Sequence, residues 1–325
     1  MLVKCVLLIV GMAMLIKGAD FFVGGASRIA KALKIPPLVI GLTLVSMGTS
    51  APEASVSING AVNGLGDIAL GNVIGSNIFN ILLILGVSAA IAPLAVCDEL
   101  KQRDLPIMVA VFGAALLFAF GITPYEIDAF EGCALLIAFA GYIAALCMRA
   151  RRSRSIAALI PSSDVARAEK PERKKEMPLW LSVIASIGGL IAVIFGGEIV
   201  VDNAAGLARA AGMSEALVGL TIVAVGTSLP ELVTSIVASV KKENDIAVGN
   251  IVGSNIFNIV FILGLTAAVK PIAVDASTLV DLYVMLGAGI LIAVTAKFSQ
   301  KINRSQGIFA LLLYIGYLTY IIIRN

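Results

Sequence analysis

Residues 41–86 read GLTLVSMGTSAPEASVSINGAVNGLGDIALGNVIGSNIFNILLILG, and residues 219–264 read GLTIVAVGTSLPELVTSIVASVKKENDIAVGNIVGSNIFNIVFILG. At a constant offset of 178, without a gap, the two stretches agree at 27 of 46 positions. The agreement falls on the polar residues. Gly48-Thr49-Ser50 and Pro52-Glu53 match Gly226-Thr227-Ser228 and Pro230-Glu231. Asn72, Ser76, Asn77 and Asn80 match Asn250, Ser254, Asn255 and Asn258. A carboxylate duplicated inside apolar segments describes a site built across the interface of two repeats, an arrangement typical of secondary transporters.

Working outward, the chain has 325 residues, 59% hydrophobic and 14% charged, with a mean hydropathy of +1.00. One water-soluble core cannot hide that much apolar sequence, so the composition is that of an integral membrane protein in a lipid bilayer. Leu2 to Val23 lacks a basic leader and a small-residue cleavage site and reads as a retained helix. The basic residues lie in loops, which argues against a nucleic-acid surface. Cys5, Cys97, Cys133 and Cys147 are scattered, and histidine is absent. Soft-metal ligation and a disulfide framework are therefore not expected, and no cofactor is. An enzyme is not expected either: there is no nucleophile–base spacing, and the acids are duplicated rather than set in unequal environments.

Segments of spanning length predict an all-α protein with ten transmembrane helices, at about 2–24, 38–62, 68–92, 105–120, 128–148, 178–200, 216–240, 246–269, 279–297 and 306–323. Alternate connections carry the basic residues: Arg28, Lys31 and Lys34; Lys101 and Arg103; nine between Arg149 and Lys175; Lys241 and Lys242; Lys297, Lys301 and Arg304. That bias predicts a multi-pass protein of a bacterial inner membrane with both termini periplasmic. Because the repeat offset spans five helices, an odd number, the second half is expected to be inserted upside down relative to the first. The expected organisation is a first inverted repeat over 1–148, a cytoplasmic linker over 149–177 and a second inverted repeat over 178–325.

Glu53 falls about 15 residues into the second span, roughly 22 Å along it at the helical rise. Glu231 has the same depth in the seventh. An ionised carboxylate at a helix centre costs at least about 2.5–3.5 kcal/mol, and no lysine or arginine stands nearby in sequence to offset it. A bound cation, a proton or water in a cavity must compensate. Pro52 and Pro230 lack the N–H that would bond four residues back, so the carbonyls of Gly48 and Gly226, with their neighbours at Thr49 and Thr227, are expected to be freed. Ser and Thr hydroxyls and the Asn80 and Asn258 amides complete an all-oxygen donor set of the kind Ca2+ and Na+ accept. Ser76 and Asn80, like Ser254 and Asn258, are four apart and share a helix face. Asn72, Asn77, Asn250 and Asn255 read as structural, and Asp20, Glu198 and Asp202 as solvated or interfacial.

The doubled pattern GTSxPE followed by GNxxGSNxFN resembles the alpha-repeats of the sodium/calcium exchanger branch of the cation/calcium exchanger superfamily, in its bacterial members, and the resemblance covers essentially the whole chain. It implies a Na+/Ca2+ antiporter working by alternating access, with spans 1 and 6 sliding across an eight-helix core. It implies that Glu53 and Glu231 bind Ca2+ with the carbonyls of Thr49 and Thr227. Ser50, Ser76, Ser228 and Ser254 would complete flanking Na+ sites, with Asn80 and Asn258 facing the same centre. Some relatives carry Asp where this chain has Asn258, which leaves two carboxylates in the cluster and the exchange stoichiometry and potassium dependence open. The residues alone also admit a Ca2+/H+ exchanger or a passive cation channel. No obligate protein partner is implied.

Overall fold

Apolar runs of this length satisfy their own backbone only as helices, and helices dominate the structure. The computed structural model describes residues 1–121, 123–159, 178–213 and 224–324. The helices are α1 (Leu2–Leu33), α2 (Pro37–Thr49), α3 (Ala51–Val62), α4 (Gly66–Ile91), α5 (Leu105–Phe118), α6 (Ala129–Leu159), α7 (Leu179–Ala210), α8 (Ala224–Gly226), α9 (Leu229–Val240), α10 (Asn244–Val269), α11 (Ala276–Phe298) and α12 (Arg304–Arg324). Seven of them are long and apolar enough to cross a membrane. Helix stands at each of the ten expected positions, although residues 216–223 of the seventh lie outside the described residues. Among the described residues, four two-residue strands, β1 (Leu94–Ala95), β2 (Glu126–Ile127), β3 (Ile272–Ala273) and β4 (Lys301–Ile302), stand beside the helices.

The 178-residue offset persists in the helix boundaries: α3 maps onto α9 and α4 onto α10 at both ends. It persists in the strands as well. β1 pairs with β4 and its repeat-mate β3 pairs with β2, both antiparallel, so each half lends a strand to the other. Helices α4 and α10 form the centre, with 72% and 94% of their apolar windows buried, against 11–33% for the other five spanning helices. Around them the halves interlock, since α6 packs on α10 and α12 packs on α4. Both contacts use a glycine pair: a Cβ on Gly264 would lie 3.1 Å from the Gly132 carbonyl, and one on Gly86 would lie 3.0 Å from that of Gly307. Both also use an aromatic anchor, with Phe79 edge-on to Tyr314 at 5.6 Å and Phe257 edge-on to Phe139 at 5.8 Å.

Helices α1 and α7, 32 residues each, pack along each other outside this centre. At about 1.5 Å per residue each is about 48 Å long, more than the roughly 30 Å hydrocarbon core, so they tilt or project from it. Their backbones touch where a Cβ on Gly189 would lie 2.5 Å from the Phe22 nitrogen and 2.6 Å from the Gly18 carbonyl. Gly189→Leu is expected to pry the pair apart, with an overpacking penalty of about 1–3 kcal/mol. The check is a lower melting temperature in detergent together with loss of transport.

Helix α6 runs to Leu159, eleven residues beyond the end expected at 148 and into the proposed linker. The reason is composition: residues 149–159 are rich in Arg and Ala, which are good helix formers. The rest of that linker, 160–177, lies outside the described residues.

Candidate cation site

The helices carrying the repeated motif break where the prolines predict. Ser50 (φ −80, ψ 9) separates α2 from α3, and Ser228 (φ −88, ψ 6) precedes α9, each two residues before a proline. Each break presents its glutamate in the first turn of the following helix. Glu53 and Glu231 are both 1% exposed.

The two breaks are joined crosswise. Ser50 donates to Glu231 Oε1 at 2.8 Å, and Ser228 donates to Glu53 Oε1 at 2.8 Å. Behind them, Asn250 Nδ2 donates to the Glu231 carbonyl at 3.5 Å and to Ser235 Oγ at 2.9 Å, while its Oδ1 lies 3.1 Å from the Thr49 hydroxyl. Asn72 repeats the pattern with the Glu53 carbonyl at 3.2 Å, Ser57 at 2.9 Å and Thr227 at 3.3 Å. Every bond in one set has its partner 178 residues away. Such reciprocity requires the repeats to be related by a two-fold axis through the carboxylate pair.

Opposite the breaks, α4 and α10 loosen into π-helical turns at Phe79–Ile84 and Asn258–Leu263. Turns of this type recur at functional sites. Helix α3 packs on the π turn that begins at Asn258, and α9 on the one that contains Asn80. Glu53 Oε2, Glu231 Oε2, Asn80 Oδ1 and Asn258 Oδ1 are all buried without a hydrogen-bond partner. A buried acceptor left unsatisfied is costly, and these four fall at two pairs of positions related by the repeat.

The chain matches the model of the family described as sodium/calcium exchanger protein over residues 3–148 and 181–323. It belongs to the sodium/calcium exchanger family. It is similar to the sodium/calcium exchanger MaX1 of Methanosarcina acetivorans, 30% identical over 347 residues and covering 97% of both chains. It is also similar to the inner membrane protein YrbG of Escherichia coli K12, 38% identical over 320 residues and covering 95% of this chain and 93% of that one. Among solved structures it superposes on the sodium-calcium exchanger NCX_Mj soaked with 10 mM Na+ and zero Ca2+, with a TM-score of 0.83, 31% identity and 98% of each chain covered.

Within this exchanger the remaining expected site residues divide. Ser76 joins the first cluster, with its hydroxyl 3.1 Å from Ser228 Oγ. Ser254 instead donates to the Ser46 carbonyl at 3.4 Å. Asn258 donates Nδ2 to Asn77 Oδ1 at 3.2 Å, which leaves its own Oδ1 free. Asn72 and Asn250, read as structural, each tie a glutamate carbonyl to the threonine of the other repeat. Ser57 and Ser235 were not anticipated, yet the repeat carried the signal: both positions are Ser and both lie inside the 46-residue match. Asp20, read as interfacial, forms an ion pair with Lys241 at 2.7 Å.

Proposed function

We propose that this exchanger trades Na+ for Ca2+ across a bacterial inner membrane by alternating access at one site between its two repeats. The ligands are the carboxylates of Glu53 and Glu231, the carbonyls of Thr49 and Thr227, and the side-chain oxygens of Asn80 and Asn258. Ser50, Ser76, Ser228 and Ser254 supply the flanking Na+ positions. One observation carries the reading: four buried acceptor oxygens, two of them carboxylate, stand unpartnered at the junction of the repeats. The names of MaX1 and NCX_Mj agree with it. Ca2+ takes six to eight oxygens and accepts bidentate carboxylates, which suits a donor set without nitrogen or sulfur.

Both ions draw on the same carboxylates and so compete. An empty, doubly charged site is too costly to carry across, whereas a loaded one is close to neutral. Exchange follows from that difference. The basic loops support a topology with the 149–177 connection cytoplasmic and both termini periplasmic, the repeats extending over 1–148 and 178–325.

The deciding experiment is 45Ca2+ uptake into proteoliposomes with Na+, K+ and pH gradients imposed separately. Uptake driven by an outward Na+ gradient is expected. Uptake driven by the pH gradient alone would make the counter-ion a proton, and flux indifferent to every gradient would make the protein a channel. At a finer level, Ser228→Ala removes a hydroxyl donor to Glu53 of a kind worth about 1.5–3 kcal/mol. The expected result is a Ca2+ KM raised roughly tenfold or more with kcat changed far less.

A further inference from the structure

Two inverted repeats of identical sequence would make the inward-open and outward-open conformers equal in energy, because each is the other with the halves exchanged. Contacts made by residues present in one half only set the bias between them. Such contacts occur where α1 meets the turn between α9 and α10. Lys241 Nζ lies 2.7 Å from Asp20 Oδ1 and donates to the Asp20 carbonyl at 2.6 Å. Seven residues on, about two helical turns, Ser27 donates to Glu243 Oε1 at 2.6 Å.

The repeat-mates of these residues cannot make the same ties. Asp20 has an acid, Glu198, as its mate, but Ser27 corresponds to Ala205, Lys241 to Asn63 and Glu243 to Leu65. Asn63 turns back on its own helix, donating to the Asn59 carbonyl at 2.8 Å. The packing beside the ties is just as lopsided. Leu229, Val233 and Val237 of α9 press on Leu15 and Ala19 of α1 and on Val193 and Val200 of α7. Their mates on α3 are Ala51, Ser55 and Asn59, all exposed. Thr234 is 0% exposed, whereas its mate Val56 is 39% exposed. Helix α1 packs along α9, and α7 has no comparable packing along α3 among the described residues.

We infer that Asp20–Lys241 and Ser27–Glu243 form a one-sided latch over an apolar seal, holding the exchanger closed on the side of the α9–α10 turn until the loaded site releases it. The latch thus rests on the alternating-access reading and says which of the two conformers the empty protein prefers. On the proposed topology that turn is cytoplasmic, so the resting protein opens outward.

The test uses full-length protein in ion-free vesicles, with Cys5, Cys97, Cys133 and Cys147 replaced by alanine. Thr234→Cys or Val56→Cys then serves as a single reporter for a membrane-impermeant maleimide applied from each side. Lys241→Asn combined with Glu243→Leu gives the latch the residues of the other half. It is expected to raise labelling of the 234 reporter roughly tenfold, the scale of one exposed ion pair plus one charge-assisted hydrogen bond, and to lower labelling of the 56 reporter. Asp20→Lys alone does the same, and adding Lys241→Asp restores slow labelling. Unchanged labelling at 234 overturns the latch, as does a parallel rise at both reporters, which is general loosening. A shift in labelling without any 45Ca2+ exchange would instead count against the proposed transport, so the two failures are distinguishable.

Discussion

Glu53→Gln and Glu231→Gln each abolish Na+-driven Ca2+ uptake, by at least roughly a thousandfold, while the protein still reaches the membrane. Glutamine keeps the shape and removes one of the two negative charges of the proposed site. It also turns one of the oxygens proposed to coordinate into an N–H donor, which a cation repels. A pair of unit charges 4 Å apart in an environment of effective dielectric about 20 interacts by about 4 kcal/mol, and a divalent ion doubles that. A thousandfold loss needs only about 4 kcal/mol. Folding survives because a neutral amide is less costly to bury than an unpaired carboxylate. The two variants should be equally inactive, since the bonds around Glu53 and Glu231 are near copies of each other. The check is initial 45Ca2+ uptake normalised to the amount of reconstituted protein, and near-normal exchange in both variants would remove these residues from the site.

The second large effect falls on a residue proposed to touch no ion. Asn250→Leu takes from the Ser235 hydroxyl and the Glu231 carbonyl the amide that now bonds them, while the Thr49 hydroxyl keeps the Val45 carbonyl at 3.1 Å. Asn250 is fully buried, so water has little room to substitute. Unsatisfied buried groups cost about 1–3 kcal/mol each, and relaxation recovers part of that. The melting temperature in detergent should fall by roughly 5–10 °C and exchange should be lost with it. Asn72→Leu should do less damage, because Asn72 is only partly buried and water can take over some of its bonds. Equal, small effects for the two variants would mean that the amides do not hold the breaks in place.

Much of this architecture was legible in the chain. Apolar runs marked the helix positions, because membrane burial leaves the backbone few alternatives. The 178-residue repeat marked the symmetric hydrogen-bond network around Glu53 and Glu231, and Pro52 and Pro230 marked the breaks. What escaped reading has a common character: it depends on which surfaces meet. The strand pair β1–β4 joins Leu94 to Ile302, and no local pattern in either two-residue strand announces it. The π turns at Asn80 and Asn258 lie in sequence that reads as ordinary apolar helix. Asp20 reads as a solvated acid until α1 is laid beside Lys241, 221 residues away. Residues 149–159 look like linker because they are charged, yet arginine and alanine favour continuing the helix above them. Ser57 and Ser235 were readable in principle, as identical small polar residues in a repeat whose polar identities carry its meaning.

The central claim is that Glu53 and Glu231 hold one cation between them. The most direct test is a crystal structure of the full chain grown in Ca2+ without Na+, with the ion located by its anomalous signal. The expected result is a single Ca2+ with oxygens of both glutamates within about 2.3–2.6 Å, displaced when the crystal is moved into Na+. Two separate cations, one on each carboxylate, or an ion bound elsewhere with the two glutamates uncoordinated, would contradict it.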